Sequence, residues 1–438
     1  MDKLGLPQIL ITFTSQATTA INRSARGIVS VILNDENVTD EDGVQYRLIQ
    51  DSSDIPSSGI SASNVDLIER VLAGTPYKVH TYLIPPATHE EEQVVTRTVS
   101  NTVDSDVVVT DPDTGETSTQ VQSVTVTDTV VETVTVTVDA TVTQADALKK
   151  CAHVKFNYIC HPTGTPKDQQ NLATWVATQR ANKHKTFKAV VANYAANNYG
   201  VINFTTNGIK VNNPDYTAAL AEADGDESAV TVPKYLTYTA TQYTGRIAGI
   251  LAGLSLDRSA TYYTLTEVEE VADYDDIDSH INNGELCLFD EKDDNGVKIA
   301  RGCNSLTTFT SEVGEDFRFI KIVEAIDLIK DDIRDAFRND YVGKVKNDYS
   351  NKTLFISAIH SYFNGLKGNV LDTTSSNSNY VEIDYTRNYN YAKAHGKDVD
   401  SMTRQQILEV NTGTQVFLTG RITVVNAMED LFLAFTLE

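Results

Sequence analysis

The sequence has no long apolar run, few cysteines and a shortage of positive charge. No stretch of about 18 apolar residues occurs, so no membrane insertion is expected, and the amino terminus lacks the pattern of a secretory signal peptide. Four cysteines in 438 residues fit free thiols in a reducing compartment. Lys and Arg number 36 against 60 Asp and Glu, a formal charge of −24. We therefore expect no nucleic-acid partner, since phosphate backbones are bound by clustered cations.

The length and the apolar content predict a folded protein of several domains. At 438 residues and 41% hydrophobic residues, the chain exceeds one compact core and can form roughly two to four. The charge is unevenly distributed: residues 341–438 hold nine basic and ten acidic residues, which leaves −23 of the −24 on residues 1–340. The near-neutral end can approach other protein surfaces, including its own copies, with less repulsion.

Apolar periodicity predicts a mixed α and β chain. Residues 28–33 form a continuous apolar run typical of a buried strand, and strand–helix–strand alternation over 156–205 favours a parallel unit. Residues 316–338 have an apolar stripe at helical spacing. The charged face of that helix is either solvated or a recognition face for a charged partner, and the sequence leaves both open. Near the carboxyl end we expect a second helix, a strand, a short helix and two final strands over 351–366, 380–385, 403–410, 415–425 and 429–437.

Residues 94–143 have a composition unlike that of the rest of the chain. They hold 16 Val and 15 Thr, no aromatic residue and one basic residue, Arg97. Strict Val/Thr alternation around a DPDTG turn predicts an inserted β module with one apolar face and a thin core.

No pattern of residues indicates catalysis or a metal site. Cys151, His153, Cys160 and His161 depart from zinc-site spacing, so buried thiols and a surface His are expected, and Cys287 and Cys303 fit core thiols. The calcium-like DPDTGE turn and the acidic run 273–278 fit solvated loops. Three glycines four residues apart, Gly245, Gly249 and Gly253, fit close helix packing in water. The sequence predicts no enzyme, no cofactor and no metal.

Both ends of the chain are apolar β segments without a partner nearby in sequence. Open sheet edges accept added strands, so both ends could join sheets of other copies. A head-to-tail contact that does not close would generate a helical filament. These apolar ends therefore favour a structural protein that assembles with its own copies, and this interpretation depends on no sequence motif.

Eight blocks resemble one family of proteins in order along the chain. They are GLPQILITF, SARGIVSVIL, AGILAGLSLDRSATYYTL, INNGELCL, RGCNSLTTFT, EDFRFIKIVEAIDLIKDDIRDAF, YVGKVKNDYSNKTLFISAI and VNAMEDLFL. The chain resembles the contractile tail sheath proteins of myophages, most nearly those of phages of Gram-positive bacteria and of contractile bacteriocins. The match covers most of the chain, and the Val/Thr-rich insert departs from it.

The resemblance implies an α+β multidomain fold that assembles with its own copies. The implied parts are an amino-terminal arm (1–25), an outer α/β domain (26–93 and 144–254), the inserted all-β module (94–143), a middle segment (255–315) and an inner carboxyl-terminal domain (316–438). Arm strands from both ends would complete the inner domain. Subunits would stack as six-fold rings around an inner tube and contract to drive it through a bacterial envelope.

The resemblance also implies partners and site residues. The partners are other copies of the chain, the inner tube protein, and baseplate and tail terminator proteins. The location is a virion tail or a bacteriocin particle assembled in the host cytoplasm. Strand exchange would use Ile9, Ile11, Phe13, Leu431, Leu433, Phe435 and Leu437. The tube-facing candidates are Lys321, Lys330, Arg334, Arg338, Lys344, Lys346 and Lys352.

Two alternatives from other classes remain. A surface fibre protein could use the Val/Thr-rich module for adhesion, although no export signal is present. A metal-dependent hydrolase could use the acidic run 273–278, although no matching His supports it.

Overall fold

A seven-stranded, mostly parallel sheet forms the centre of the chain. The structure, a computed structural model, describes residues 26–113, 115–292, 296–374 and 379–436. The strand order is β12-β8-β7-β6-β1-β3-β2, and only β2 runs antiparallel to its neighbour. The strands are β1 (Ile28–Asn34), β2 (Gln45–Ile49), β3 (Lys78–Ile84), β6 (Tyr158–Cys160), β7 (Lys188–Ala192), β8 (Val201–Phe204) and β12 (Glu285–Leu286). The predicted buried strand and parallel unit are confirmed.

Helices cover both faces of this sheet. They are α1 (Ala62–Leu72), α2 (Gln144–Cys151), α3 (Pro166–Lys183) and α5 (Ala240–Gly253). Strand β1 alternates between two cores: Val29 and Val31 pack with α1 and α5, whereas Ile28 and Ile32 pack with α2 and α3. This period-two division explains why the strand has no polar face.

The glycine series of α5 lies directly against α1 and the turn that follows it. A Cβ atom on Gly249 would lie 2.2 Å from the carbonyl oxygen of Val71, and one on Gly253 would lie 1.9 Å from that of Gly74. The prediction of close helix packing is confirmed, because only glycine lets these backbones approach so closely.

Smaller elements follow the central sheet. A three-stranded sheet has the order β10 (Tyr235–Tyr238), β9 (Ile209–Asn212), β11 (Val268–Glu270). Strands β13 (Leu288–Asp290) and β14 (Val297–Ile299) form a hairpin. Two short helices, α4 (Pro214–Glu222) and α6 (Ile277–Asn282), connect these strands.

The Val/Thr-rich region forms one long hairpin. Strands β4 (Thr88–Thr110) and β5 (Thr117–Asp139) have 23 residues each and pair along their whole length. The amide of Ala140 donates to the carbonyl of Ala87 at 2.9 Å and closes the hairpin at its base. The β prediction is confirmed, and the module is a two-stranded ribbon.

The carboxyl-terminal region packs around its own core. Its elements are α7 (Ile320–Ala336), a π-helical turn (Phe337–Tyr341), α8 (Tyr349–Leu366), β15 (Tyr380–Ile383), α9 (Tyr385–Ala394), α10 (Arg404–Leu408) and β16 (Leu418–Arg421). Leu328, Ile329 and Phe355 lie in the core between α7 and α8.

Two strand predictions near the carboxyl end are corrected. The strand predicted over 415–425 is limited to β16. The strand predicted over 429–437 is absent, since residues 429–436 pair with no strand of the described chain and residue 437 lies outside it. Strand geometry needs a hydrogen-bonded neighbour, and this segment has none among the residues that the structure describes.

None of the described helices has both the length and the apolar character needed to cross a bilayer.

Candidate functional site

The carboxyl-terminal segment, residues 426–436, exposes an unusual amount of apolar surface. Phe432 is 94% exposed and Phe435 83%. Three further large apolar side chains of the segment are exposed: Met428, Leu431 and Leu433. Single exposed apolar residues are ordinary, but five in nine consecutive positions form a patch typical of an interaction site.

Two acidic residues fix the start of this segment to the body. The carboxylate of Glu429, whose side chain is 7% exposed, accepts hydrogen bonds from Ser259 at 2.7 Å and Thr261 at 2.9 Å, and Arg301 Nε lies 3.1 Å from it. Arg301 also pairs with Asp430 at 2.5 Å. The apolar residues beyond this point therefore extend from a fixed origin.

An incomplete sheet lies in the same carboxyl-terminal region. Strands β15 and β16 pair antiparallel through four residue pairs and form a separate two-stranded sheet. A two-stranded sheet is marginally stable alone and leaves edges open to further strands. The chain thus has both an unpaired apolar segment and a sheet able to accept one.

The charged face of α7 packs against the central sheet domain. Asp327 is buried, and its carboxylate accepts hydrogen bonds from Nη1 and Nη2 of Arg180 at 2.9 Å each and from Lys188 Nζ at 3.0 Å. Burial acts to raise the pKa of Asp327, but the two cations outweigh it and hold the pKa below its usual range. Lys188 also lies 2.9 Å from Glu324. The part of this face around Glu324 and Asp327 is therefore neither solvated nor free to meet another protein, because it joins two parts of one chain.

The same face holds the first described residue of the chain. Arg26 lies 3.7 Å from Glu324 and 3.5 Å from Asp331. The described part of the chain therefore begins beside α7. The strand-exchange candidates Ile9, Ile11, Phe13 and Leu437 lie outside the described residues.

The cations predicted to face a partner divide into two groups. Three bind groups at distant positions of their own subunit: Lys321 donates to the Asp257 carbonyl at 3.0 Å, Arg334 to that of His184 at 3.0 Å, and Lys352, 4% exposed, to Thr412 at 3.0 Å. The remaining four are exposed: Lys330, Arg338, Lys344 and Lys346. Lys344 donates to the carbonyl of Asn339, and Arg338 pairs with Asp335 at 2.8 Å.

The four residues considered for a metal between positions 151 and 161 do not form a cluster of possible ligands. Cys151 and Cys160 are buried, as expected for core thiols, and burial raises the pKa of Cys151 to about 12. His153 is exposed, but the expectation of a surface position is wrong for His161. His161 is buried between Asn34 and Gln144, whose polar atoms lie 2.8 and 2.9 Å from its ring nitrogens.

Sequence reasoning missed the residues that hold the site in place. Arg180, Lys188 and Glu429 have no motif, and their partners lie more than 100 positions away along the chain. Met428 and Phe432 were detectable as large apolar residues in the final segment, but period-two alternation singled out Leu431, Leu433, Phe435 and Leu437 instead.

Two family models match the chain. The model described as the phage tail sheath protein central domain matches residues 137–305, and the one described as the phage tail sheath C-terminal domain matches residues 312–438. The tail sheath protein of Clostridium phage phiCD119 is 32% identical over 430 residues, which cover 98% of each chain.

Solved structures share the fold. The sheath tail protein of Desulfitobacterium hafniense has 20% identity and a TM-score of 0.57, with 88% of this chain and 93% of that chain covered. The helical sheath of the anti-feeding prophage in its contracted state has 12% identity and a TM-score of 0.58, with 94% and 93% covered.

Proposed function

The chain belongs to the phage tail sheath family, a family of structural proteins and not enzymes, and we propose that its copies polymerise as stacked six-fold rings around an inner tube and contract to drive that tube through a bacterial envelope. The protein is a component of a phage tail or related contractile particle. Assembly in the host cytoplasm, the inner tube partner, and the baseplate and terminator partners belong to this proposal.

The exposed carboxyl-terminal segment is the observation that carries the proposal. Burying its five large apolar side chains would contribute ~8–15 kcal/mol. Ordering the nine residues 428–436 would cost ~9–18 kcal/mol of backbone freedom. The two terms are of similar size, so main-chain hydrogen bonds to an adjacent strand decide whether the segment docks.

The proposed recipient is the β15–β16 sheet of a neighbouring copy. When the segment is in solvent, its apolar residues are exposed to water. The β15–β16 sheet has two strands and can accept another at its edge. Leu431, Leu433, Phe435 and Leu437 would form the added strand. Ile9, Ile11 and Phe13 would form a second added strand from the amino-terminal arm.

The proposed arrangement of the chain follows from these contacts. Residues 316–438 would form the inner domain, which the near-neutral charge of 341–438 favours. Residues 26–93 and 144–254 would form the outer domain, residues 255–315 would connect it to the inner domain, and the inserted module predicted over 94–143 would lie at the outside.

Among the proposed tube-facing cations, three exposed residues near the end of α7 are the strongest candidates. They are Arg338, Lys344 and Lys346. Lys330 is also exposed. Lys321, Arg334 and Lys352 bind groups at distant positions of their own subunit and would have to exchange those bonds to contact a tube, whereas the partners of Arg338 and Lys344 lie within five positions along the chain.

A triple substitution tests the proposal. The variant Leu431→Ser, Leu433→Ser, Phe435→Ser removes apolar area from the segment while leaving the Glu429 anchor intact. We expect a folded, soluble subunit that forms no sleeves in negative-stain micrographs. The matched control, Val94→Ser, Val108→Ser, Val131→Ser, removes three exposed apolar residues from the hairpin and should assemble normally. Regular sleeves from the first variant would contradict the proposal.

A further inference from the structure

His280, Glu285 and Cys287 form a cluster with the composition of a metal site. One ligand atom from each residue lies within 4.8 Å of the other two. His280 belongs to the last turn of α6, Glu285 begins β12, and Cys287 directly follows that strand. The Nδ1 atom of His280 lies 2.7 Å from Oε2 of Glu285. Imidazole nitrogen, carboxylate oxygen and thiolate sulfur are the three donor types that Zn²⁺ accepts in proteins.

A glycine turn brings the three donors together. Gly284 has φ +74, and a Cβ atom on it would lie 3.0 Å from both Cα and C of Ser305. Another residue type would meet strain from the dihedral angle and from this contact. The turn reverses the chain between His280 and Glu285, so residues five positions apart face each other.

Neighbouring side chains orient the donors. The ring of Tyr274 meets the His280 ring edge to face at 4.8 Å between centroids, and its hydroxyl lies 2.8 Å from Thr206 Oγ1. Thr205 Oγ1 lies 3.4 Å from Cys287 Sγ. Such outer contacts fix ring and thiol orientation in metal sites.

We propose that His280, Glu285 and Cys287 bind one Zn²⁺ ion, with water as the fourth ligand. Cys287 is buried, whereas the His280 side chain is 42% exposed, so an ion can enter from the solvent side and keep a water molecule. With metal–ligand bonds of about 2.0–2.3 Å, tetrahedral ligand atoms lie roughly 3.2–3.8 Å apart, so displacements of about 1 Å close the site.

Binding would displace a proton and would stabilise the edge of the central sheet. The His280 ring would bind the ion through Nδ1 as the tautomer that carries its proton on Nε2, Glu285 would bind as a carboxylate, and the Cys287 thiol would release its proton to solvent. Zinc affinity should therefore increase with pH, because the thiol must lose its proton to bind the ion. Strand β12 is two residues long and lies at the sheet edge, and the ion would tie it to α6.

The test is a titration of the purified full-length chain, stripped of metal, with Zn²⁺ against a chromophoric chelator and with Co²⁺. We expect one ion per chain and a near-ultraviolet thiolate-to-cobalt absorption band. Cys287→Ser should abolish the band, and His280→Ala should lower zinc affinity at least about tenfold. Cys160→Ser removes an equally buried thiol from β6 and should change neither result.

Two results would overturn the proposal. One is the absence of stoichiometric Zn²⁺ binding by the folded chain. The other is a cobalt band that persists in Cys287→Ser. Circular dichroism shows whether Cys287→Ser folds. If it does not, His280→Ala and Glu285→Gln, which change less buried side chains, decide the question. Unchanged zinc affinity in both variants excludes the site.

Discussion

At Gly249 the backbones of α5 and α1 meet with no room for a side chain. We expect Gly249→Ala to lower the free energy of unfolding by several kcal/mol, because its Cβ atom would lie 2.2 Å from the Val71 carbonyl oxygen. The matched control is Gly365→Ala in α8, where nothing lies within 4 Å of the new atom. That change should be neutral or stabilise by up to about 1 kcal/mol. Urea unfolding compares the two, and equal effects would contradict the prediction.

The buried ring of His161 makes stability depend on pH. Burial lowers its pKa to about 4, and protonation would place an N–H on Nδ1 against the amide of Gln144. The unfolded chain has a His pKa of about 6.5 and binds the proton first, so stability falls as pH decreases from about 6.5 towards 4.

The expected loss from His161 is about 2 kcal/mol between pH 7.5 and pH 5. It should disappear in His161→Asn, whose free energy of unfolding should vary less with pH than that of the unmodified chain. His153→Asn, at an exposed His, serves as the control. An unchanged pH slope in His161→Asn would show that another group titrates.

The sequence predicted the close packing at Gly249 but not the burial of His161. Glycines at four-residue spacing indicate a helix face without side chains, a local signal. The burial of His161 depends on Asn34, which is 127 positions away, and no local pattern records that contact.

Helix α7 holds two parts of the chain together through buried charge. Asp327→Asn removes the partner of Arg180 and Lys188, which are 6% and 2% exposed. Arg180 would lose its carboxylate partner and Lys188 would keep Glu324 alone, so the free energy of unfolding should fall by about 3–5 kcal/mol. Asp335→Asn breaks the pair with the more exposed Arg338 and should cost under about 1 kcal/mol. Chemical denaturation distinguishes them, and similar losses would refute a special role for Asp327.

The sequence determined which face of α7 is apolar but not what its charged face meets. The apolar stripe predicted core positions such as Leu328 and Ile329, and both are buried. The cations that meet Asp327 come from α3 and β7, about 140 positions earlier. The final strand was predicted from alternation alone, and residues 429–436 pair with no strand in the described part of the chain.

At the scale of the whole molecule, the described body begins at Arg26, and its first core residue is Ile28. Because the proposed amino-terminal strand would add to a neighbouring copy, deleting residues 1–16 should leave a folded, soluble subunit that no longer forms sleeves. Circular dichroism and size-exclusion chromatography test folding, and negative-stain microscopy tests assembly. Regular sleeves from the truncated protein would show that the amino-terminal arm is dispensable.

The hydrogen bond between Ala140 and Ala87 closes the long hairpin where it leaves the body. The hairpin beyond that bond could be shortened, lengthened or exchanged, because the bond keeps the start of β4 and the end of β5 together where they join the fold. The position is thus a natural insertion point for foreign sequence. A peptide tag or enzyme displayed there would be carried by every copy in a polymer.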